Sequence, residues 1–156
     1  MSQMRIFFDT NVLVYAHDQS SVHHPDSASL LAKVFEDKIQ GVLAEQNIIE
    51  LYRILTNSTA MTGKPLNSTQ ARDLLKATYL SGIFEICYPT PPSITETLSL
   101  AVKNNIKSAK IFDTRIAVLA IESKADYLVT YNIKDFVNID KLISITPTQL
   151  LPLILI

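Results

Sequence analysis

Two acidic or hydroxyl-bearing clusters in this sequence follow short apolar runs. Asp9 and Thr10 come directly after RIFF, and Thr130, Asn132 and Asp135 come after YLV. If both runs are strands of a parallel sheet, these side chains share the carboxyl edge where such sheets bind ligands. Glu50, in QNIIELYRILT, and Asp113, in IFDTRIAVLA, lie near the starts of two predicted helices. The neighbours of Asp113 are apolar, and a buried carboxylate there needs a cation, a donor or a proton. Clustered carboxylates repel and raise one another's pKa unless a divalent ion neutralises them. Oxygen donors without Cys or His select Mg²⁺ or Mn²⁺ over zinc. Such a centre activates water and stabilises charge on a phosphodiester. The expectation is that Asp9, Glu50 and Asp113 come within reach of one ion, with Asp135 and Asn132 beside them.

Each residue also has a plainer reading. Asp9 suits the cap of the helix after it, and Glu50 suits an ion pair with Arg53 three residues on. Asp113 suits a first-turn acid favoured by the helix dipole. Asp135, in NIKDF, suits an ordinary turn. His17, His23 and His24 lack the Cys or acid spacing of a zinc site. Lys103, Lys107, Lys110, Arg115 and Lys134 flank the acids and are candidate phosphate contacts, Arg115 first and Lys134 with it.

The elements that must position these residues alternate. Apolar runs predict strands at RIFF and over 41–44, 83–87, 127–130 and 142–145. Helical periodicity predicts helices over 11–17, 24–38, 46–56, 68–80, 93–105 and 112–123. Ile48, Leu51, Tyr52 and Leu55 form the stripe of the third of these. Asn67 or Ser68 is the predicted cap of the fourth, and Ser93 with Glu96 the predicted capping box of the fifth. STAMTGKPLN (58–67) and YPTPPS (88–93) read as loops. Strands alternating with helices imply an α/β fold with a mainly parallel sheet covered on both faces.

The 156 residues suit a single domain spanning 1–156, and 47% hydrophobic content supports one substantial core. Charged residues are 19%, below the roughly 25% usual for soluble domains, so some apolar surface is expected to meet a partner chain. A net charge of −1 excludes whole-molecule attraction to nucleic acid, leaving local cations and bound metal to attract a polyanion. Cys87, the one cysteine, forms no intramolecular disulfide and reads as a buried thiol. No signal peptide or membrane-length apolar stretch is visible, which predicts a cytoplasmic protein. The tail LLPLILI is expected to cover the sheet edge or to dock on a partner.

Four blocks in order, FFDTNVLVYA, QNIIELYRILT, IFDTRIAVLA and ADYLVTYNIKDF, resemble the PIN domain, and most of all the VapC-type toxins of bacterial toxin–antitoxin pairs. The resemblance spans about residues 4–146. It implies a Rossmann-like three-layer α/β/α sandwich and a Mg²⁺- or Mn²⁺-dependent endoribonuclease. It also implies a homodimer neutralised by a small protein antitoxin, and an RNA product with a 5′-phosphate. Carried over, the acids are Asp9, Glu50 and Asp113, with Thr10 and Thr130 at the family's hydroxyl positions. The fourth acid of the family often stands where this chain has Asn132, and Asp135 follows three residues later. That departure leaves open an RNA-binding module that does not cleave. A phosphatase with Asp9 as nucleophile is disfavoured, because FDTN lacks a second Asp two residues on.

Overall fold

The computed structural model describes residues 3–58 and 64–154. Five strands, β1 (Arg5–Phe8), β2 (Gln40–Ala44), β3 (Glu85–Cys87), β4 (Tyr127–Val129) and β5 (Ser144–Ile145), form one sheet in the order β3-β2-β1-β4-β5. Every pairing is parallel, and Phe7 of the central strand sits opposite Val42 on one side and Leu128 on the other. A strand buried on both faces needs no polar alternation, and Ile6, Phe7 and Phe8 are each 0% exposed.

The two-residue period of β1 splits the core. Ile6 and Phe8 pack with Val12, Leu30, Leu43, Leu51 and Leu75 under the helices of one layer. These are α1 (Thr10–Ala16), α2 (His24–Phe35), α3 (Glu45–Leu55) and α4 (Ser68–Tyr79). Phe7 packs with Val42, Ile116, Ala120, Leu128 and Phe136 on the other face. There α6 (Ile111–Glu122) lies on the sheet, with α5 (Pro91–Lys103) beside it. The result is the expected three-layer α/β/α sandwich. Close packing fixes one glycine: a Cβ on Gly41 would lie 2.4 Å from the Phe84 ring and 3.0 Å from Val34.

Several boundaries differ from the sequence reading. The helix predicted over 24–38 ends at Phe35, and the chain then turns with Asp37 at φ 58°. The strand predicted over 83–87 begins at Glu85, after Gly82 at φ 98° and an exposed Ile83. Asn67 caps α4, its side chain accepting from Gln70 N–H at 2.8 Å. The Ser93–Glu96 capping box is not what starts α5. Thr90 is the cap, Pro91 and Pro92 fill the first positions, and Ser93 is the third, with reciprocal Thr90–Ser93 bonds. Proline suits that first turn because its missing N–H would have no helical partner. Ser93 is buried instead, and its hydroxyl donates to Glu122 at 2.7 Å.

Cys87 is half-buried rather than enclosed, lying near the edge of the sheet on β3. The apolar tail folds back on its own chain. The one-turn helix α7 (Pro147–Leu150) and the 3-10 turn Leu151–Leu153 pack Leu150 and Ile154 into the α1–α4 core, and Thr148 donates to Asp26 of α2. Of the predicted loop over 58–67, residues 59–63 lie outside the described residues, as do the last two of the tail.

Candidate active site

The carboxyl ends of β1, β2 and β4 converge on one hydrogen-bonded frame. The Asp9 N–H donates to Val129 O at 3.0 Å, tying the end of β1 to β4. The Asp9 side chain also caps α1. Oδ1 accepts from Thr10 N–H at 2.9 Å, and Oδ2 accepts from the Thr130 hydroxyl at 2.8 Å and from Asn11 Nδ2 at 3.2 Å. Thr130, fully buried, in turn accepts from Asn11 Nδ2 at 3.2 Å and from Asn132 N–H at 3.0 Å. The capping and acid readings of Asp9 are therefore compatible.

On the other flank, β2 runs into α3 without a loop. Asn47, 0% exposed, accepts from Ala44 N–H at 2.8 Å and donates to Thr10 Oγ1 at 2.9 Å. Thr10 Oγ1 donates to Glu50 at 3.3 Å, and Gln46 donates to the same oxygen at 3.0 Å. Glu50 thus answers to Thr10 and Gln46, while Arg53, three residues on, is exposed. Asp113 sits in the first turn of α6, where the helix dipole favours negative charge.

The acids sense one another. Burial pushes the Asp9 carboxyl up to about 6, opposed by the bonds from Thr130 and Thr10 and reinforced by the charges of Asp113 and Glu50. Asp113 is also raised, by burial first and then by Asp135 and Glu50, while Lys110 pulls it down. Four carboxylates therefore share one electrostatic neighbourhood, across sequence separations of tens of residues.

The chain after β4 curls as a 3-10 turn, Ile133–Phe136, with Asp135 N–H bonded to Asn132 O at 3.0 Å. Phe136, 2% exposed, anchors that turn in the core. Asp135 lies 3.9 Å from Lys110 Nζ, while Asn132 is exposed. Lys134 is exposed too, and with Lys110, Asp113 and Asp135 it lines a cleft of about 250 Å³.

Arg115 does not stand free for phosphate. Its guanidinium bonds Glu45 and Gln46 at the start of α3, so it clamps α6 to α3. The three histidines go to separate partners. His17 pairs with the Tyr79 hydroxyl at 2.6 Å, His24 with Tyr15 O at 2.8 Å, and the His23 ring with Tyr131.

The donor set suits a hard divalent cation: carboxylates and hydroxyls with mutual repulsion to relieve, and no soft ligand among them. Among the described residues, no three acidic, His or Cys side chains already form an ion cage. Glu50 is held by Thr10 and Gln46, and Asp9 by three donors. The residues fit the ion by chemistry and charge, and they are oriented by hydrogen bonds.

Sequence reasoning missed Asn11 and Asn47, which hold the frame together. Asn11 was visible as the fourth residue of FDTN. Asn47 carried a weaker signal, a polar residue at the third position of a helix that follows a buried strand.

Comparison with known proteins bears on the family and the fold. The chain is 27% identical over 130 residues to a protein named Ribonuclease VapC24 from Mycobacterium tuberculosis, covering 83% of this chain and 88% of that one. Its fold resembles VapBC-1 from nontypeable Haemophilus influenzae (TM-score 0.64, 19% identity, 93% of this chain and 99% of that one). It also resembles VapBC2 from Rickettsia felis bound to a promoter DNA fragment (TM-score 0.62, 23% identity, 92% and 98%). A third likeness is to Mycobacterium tuberculosis VapC20, described as a Sarcin-Ricin loop cleaving toxin (TM-score 0.60, 13% identity, 79% and 86%). The PIN domain family model matches residues 5–134, and the chain belongs to that family.

Proposed function

We propose that this chain is a Mg²⁺- or Mn²⁺-dependent endoribonuclease, a single nuclease domain acting in the cytoplasm as the toxin of a toxin–antitoxin pair. The observation that carries the reading is the electrostatic convergence of Asp9, Glu50, Asp113 and Asp135 at the carboxyl edge of the sheet. The similarity to a ribonuclease of the VapC group supports it. Asp9, Glu50 and Asp113 would hold the ion, with Asp135, directly or through water, and Asn132 at its margin. Bound there, a hard dication supplies a nucleophilic water and neutralises charge developing on the phosphodiester.

The chain's own residues do the rest. Thr10, Thr130 and Asn11 orient Asp9, and Asn47 orients Thr10 and through it Glu50. Lys134 and Lys110 border the acids as local cations for an RNA backbone that a net charge of −1 does not otherwise attract. The test is incubation of the purified protein with mixed cellular RNA in Mg²⁺, Mn²⁺ or EDTA, with mapping of the new ends. Metal-dependent ends carrying 5′-phosphates support the reading. Binding without new ends under any metal supports instead a non-cleaving RNA-binding module, the reading that the neutral Asn132 favours.

A homodimer is part of the proposal. Ile94, Leu98 and Val102 of α5 are 53%, 57% and 82% exposed, and Phe112 of α6 is 55% exposed beside them. Residues four apart on a helix share a face, so these form an apolar stripe suited to a second copy. The antitoxin rests on the likeness to toxin–antitoxin complexes.

A further inference from the structure

Beside the acids, the carboxyl edge of the sheet carries aromatic rings that the proposed chemistry leaves unused. We propose that His23 and Tyr131 form a stacking platform for one unpaired RNA base next to the cleavage site, a reading that rests on the ribonuclease assignment. The two rings lie 4.3 Å apart at 33°. Tyr15 braces both, 4.9 Å from His23 and 5.3 Å from Tyr131, the latter edge to face at 80°. The Tyr131 hydroxyl shares a hydrogen bond with the buried Ser27 hydroxyl at 2.7 Å and donates to His23 O at 3.3 Å. The rings are therefore fixed, while His23 stays exposed.

The place of His23 in the fold argues for a surface role. It holds the cap position of α2, where Ser, Thr, Asp or Asn would bond the first turn, yet its side chain makes no cap bond. The position carries an exposed ring instead of a cap. Tyr131 directly follows Thr130, and its N–H donates to Asn11 Oδ1 at 3.2 Å, while the Asn11 amide donates to Asp9. Platform and acid thus hang on one asparagine, which holds their relative placement.

Proteins that recognise single-stranded RNA stack splayed bases on such rings, and every base offers a π face. Because the net charge of −1 gives no whole-molecule attraction to RNA, stacking on these rings would add affinity to the local contacts of Lys110 and Lys134.

The test uses a short oligoribonucleotide spanning a cleavage site mapped for the parent protein, with 2-aminopurine placed at each position in turn. It is titrated into Asp9→Asn protein, which does not cut, in millimolar Mg²⁺. We expect one position to lose fluorescence on binding. His23→Ala in that background should weaken binding about 5- to 150-fold, the range for one base–aromatic stack, and abolish the quench. His23→Trp should tighten binding. Affinity and quench unchanged in His23→Ala overturn the platform, including the case in which that variant loses only a protein partner. Because His23 is exposed, this variant decides the matter even if Tyr131→Leu does not fold. A parent protein that neither cuts nor binds RNA overturns the ribonuclease reading and the platform with it.

Discussion

Replacing Asp9 by Asn should stabilise the metal-free protein at neutral pH, even though it removes the central acid of the site. In the folded chain the Asp9 carboxyl titrates near 6, against 3.8 for an ordinary aspartate. A group whose folded pKa is raised contributes stability that is fully present below its unfolded value and is lost as pH rises through the folded one. The 2.2-unit difference (6 − 3.8) corresponds to about 3 kcal/mol lost between roughly pH 4 and pH 6 at about 1.36 kcal/mol per unit. Asparagine is never charged and avoids that loss. It has one acceptor oxygen where the carboxylate has two, so it cannot serve Thr10 N–H on one side and Thr130 with Asn11 on the other. The lost bond costs about 1 kcal/mol. The net gain at pH 7.5 is about 2 kcal/mol, or roughly 4–8 °C for a domain of this size.

The assay is thermal unfolding of parent and Asp9→Asn in EDTA at pH 4, 6 and 7.5. The variant should melt slightly below the parent at pH 4 and above it at both pH 6 and pH 7.5, with the crossover between roughly pH 4 and pH 5. With excess Mg²⁺ or Mn²⁺ at pH 7.5 the order should reverse, because only the parent binds the ion tightly enough to gain by mass action. A variant that melts below the parent by the same margin at every pH in EDTA would show that the Asp9 charge carries no burial penalty, and the electrostatic reasoning would fail.

Asp135→Asn should lower cleavage more than Asn132→Ala and less than Asp9→Asn at saturating Mn²⁺, because Asp135 raises Asp113 while Asn132 bonds the frame through its backbone; an inert Asn132→Ala beside an unimpaired Asp135→Asn reverses the assignment. Asn47→Ala strands the buried Ala44 N–H and removes the donor to Thr10, so chemical denaturation should show a loss of about 1–3 kcal/mol together with reduced cleavage. Leu98→Glu should convert a dimer to a monomer in light scattering, and a parent that is monomeric at micromolar concentration refutes the α5 interface. Affinity of the parent protein for Mn²⁺, read by calorimetry without RNA, should rise with pH up to about 6, where Asp9 gives up its proton, and a flat profile from pH 5 to 7 contradicts that coupling.

The sequence made the layering legible because burial on both faces leaves an unmistakable run: RIFF has no polar alternation, and its ends are marked by the charged Asp9. The helices were legible from their stripes. Their starts were less so, since Ser93–Glu96 matches the sequence signature of a capping box while Thr90, followed by Pro91 and Pro92, is the cap, and Ser93 turns inward to Glu122. Asp9 and Asp113 could be named because one ends an apolar run and the other stands within one, and the resemblance added weight to Glu50. The groups that orient them could not. Asn47 meets Thr10 across 37 residues, and Arg115 reaches Glu45 across 70, so neither partner has a local signature. Arg115, a candidate phosphate contact from the sequence, has its guanidinium on Glu45 and Gln46.

The frame and the raised carboxyls have one physical origin. Four acids cannot be packed at one sheet edge without compensation, and each here is compensated differently. Asp9 has three donors and keeps its proton to unusually high pH. Glu50 leans on Thr10 and Gln46, Asp113 on the start of α6, and Asp135 on Lys110. Among the described residues, these devices hold the acids without forming an ion cage. A dication would replace all four compensations at once, taking up the repulsion that protons, amides and a lysine otherwise absorb. In such an exchange Lys110 would be released from Asp135 and would become available to a phosphate.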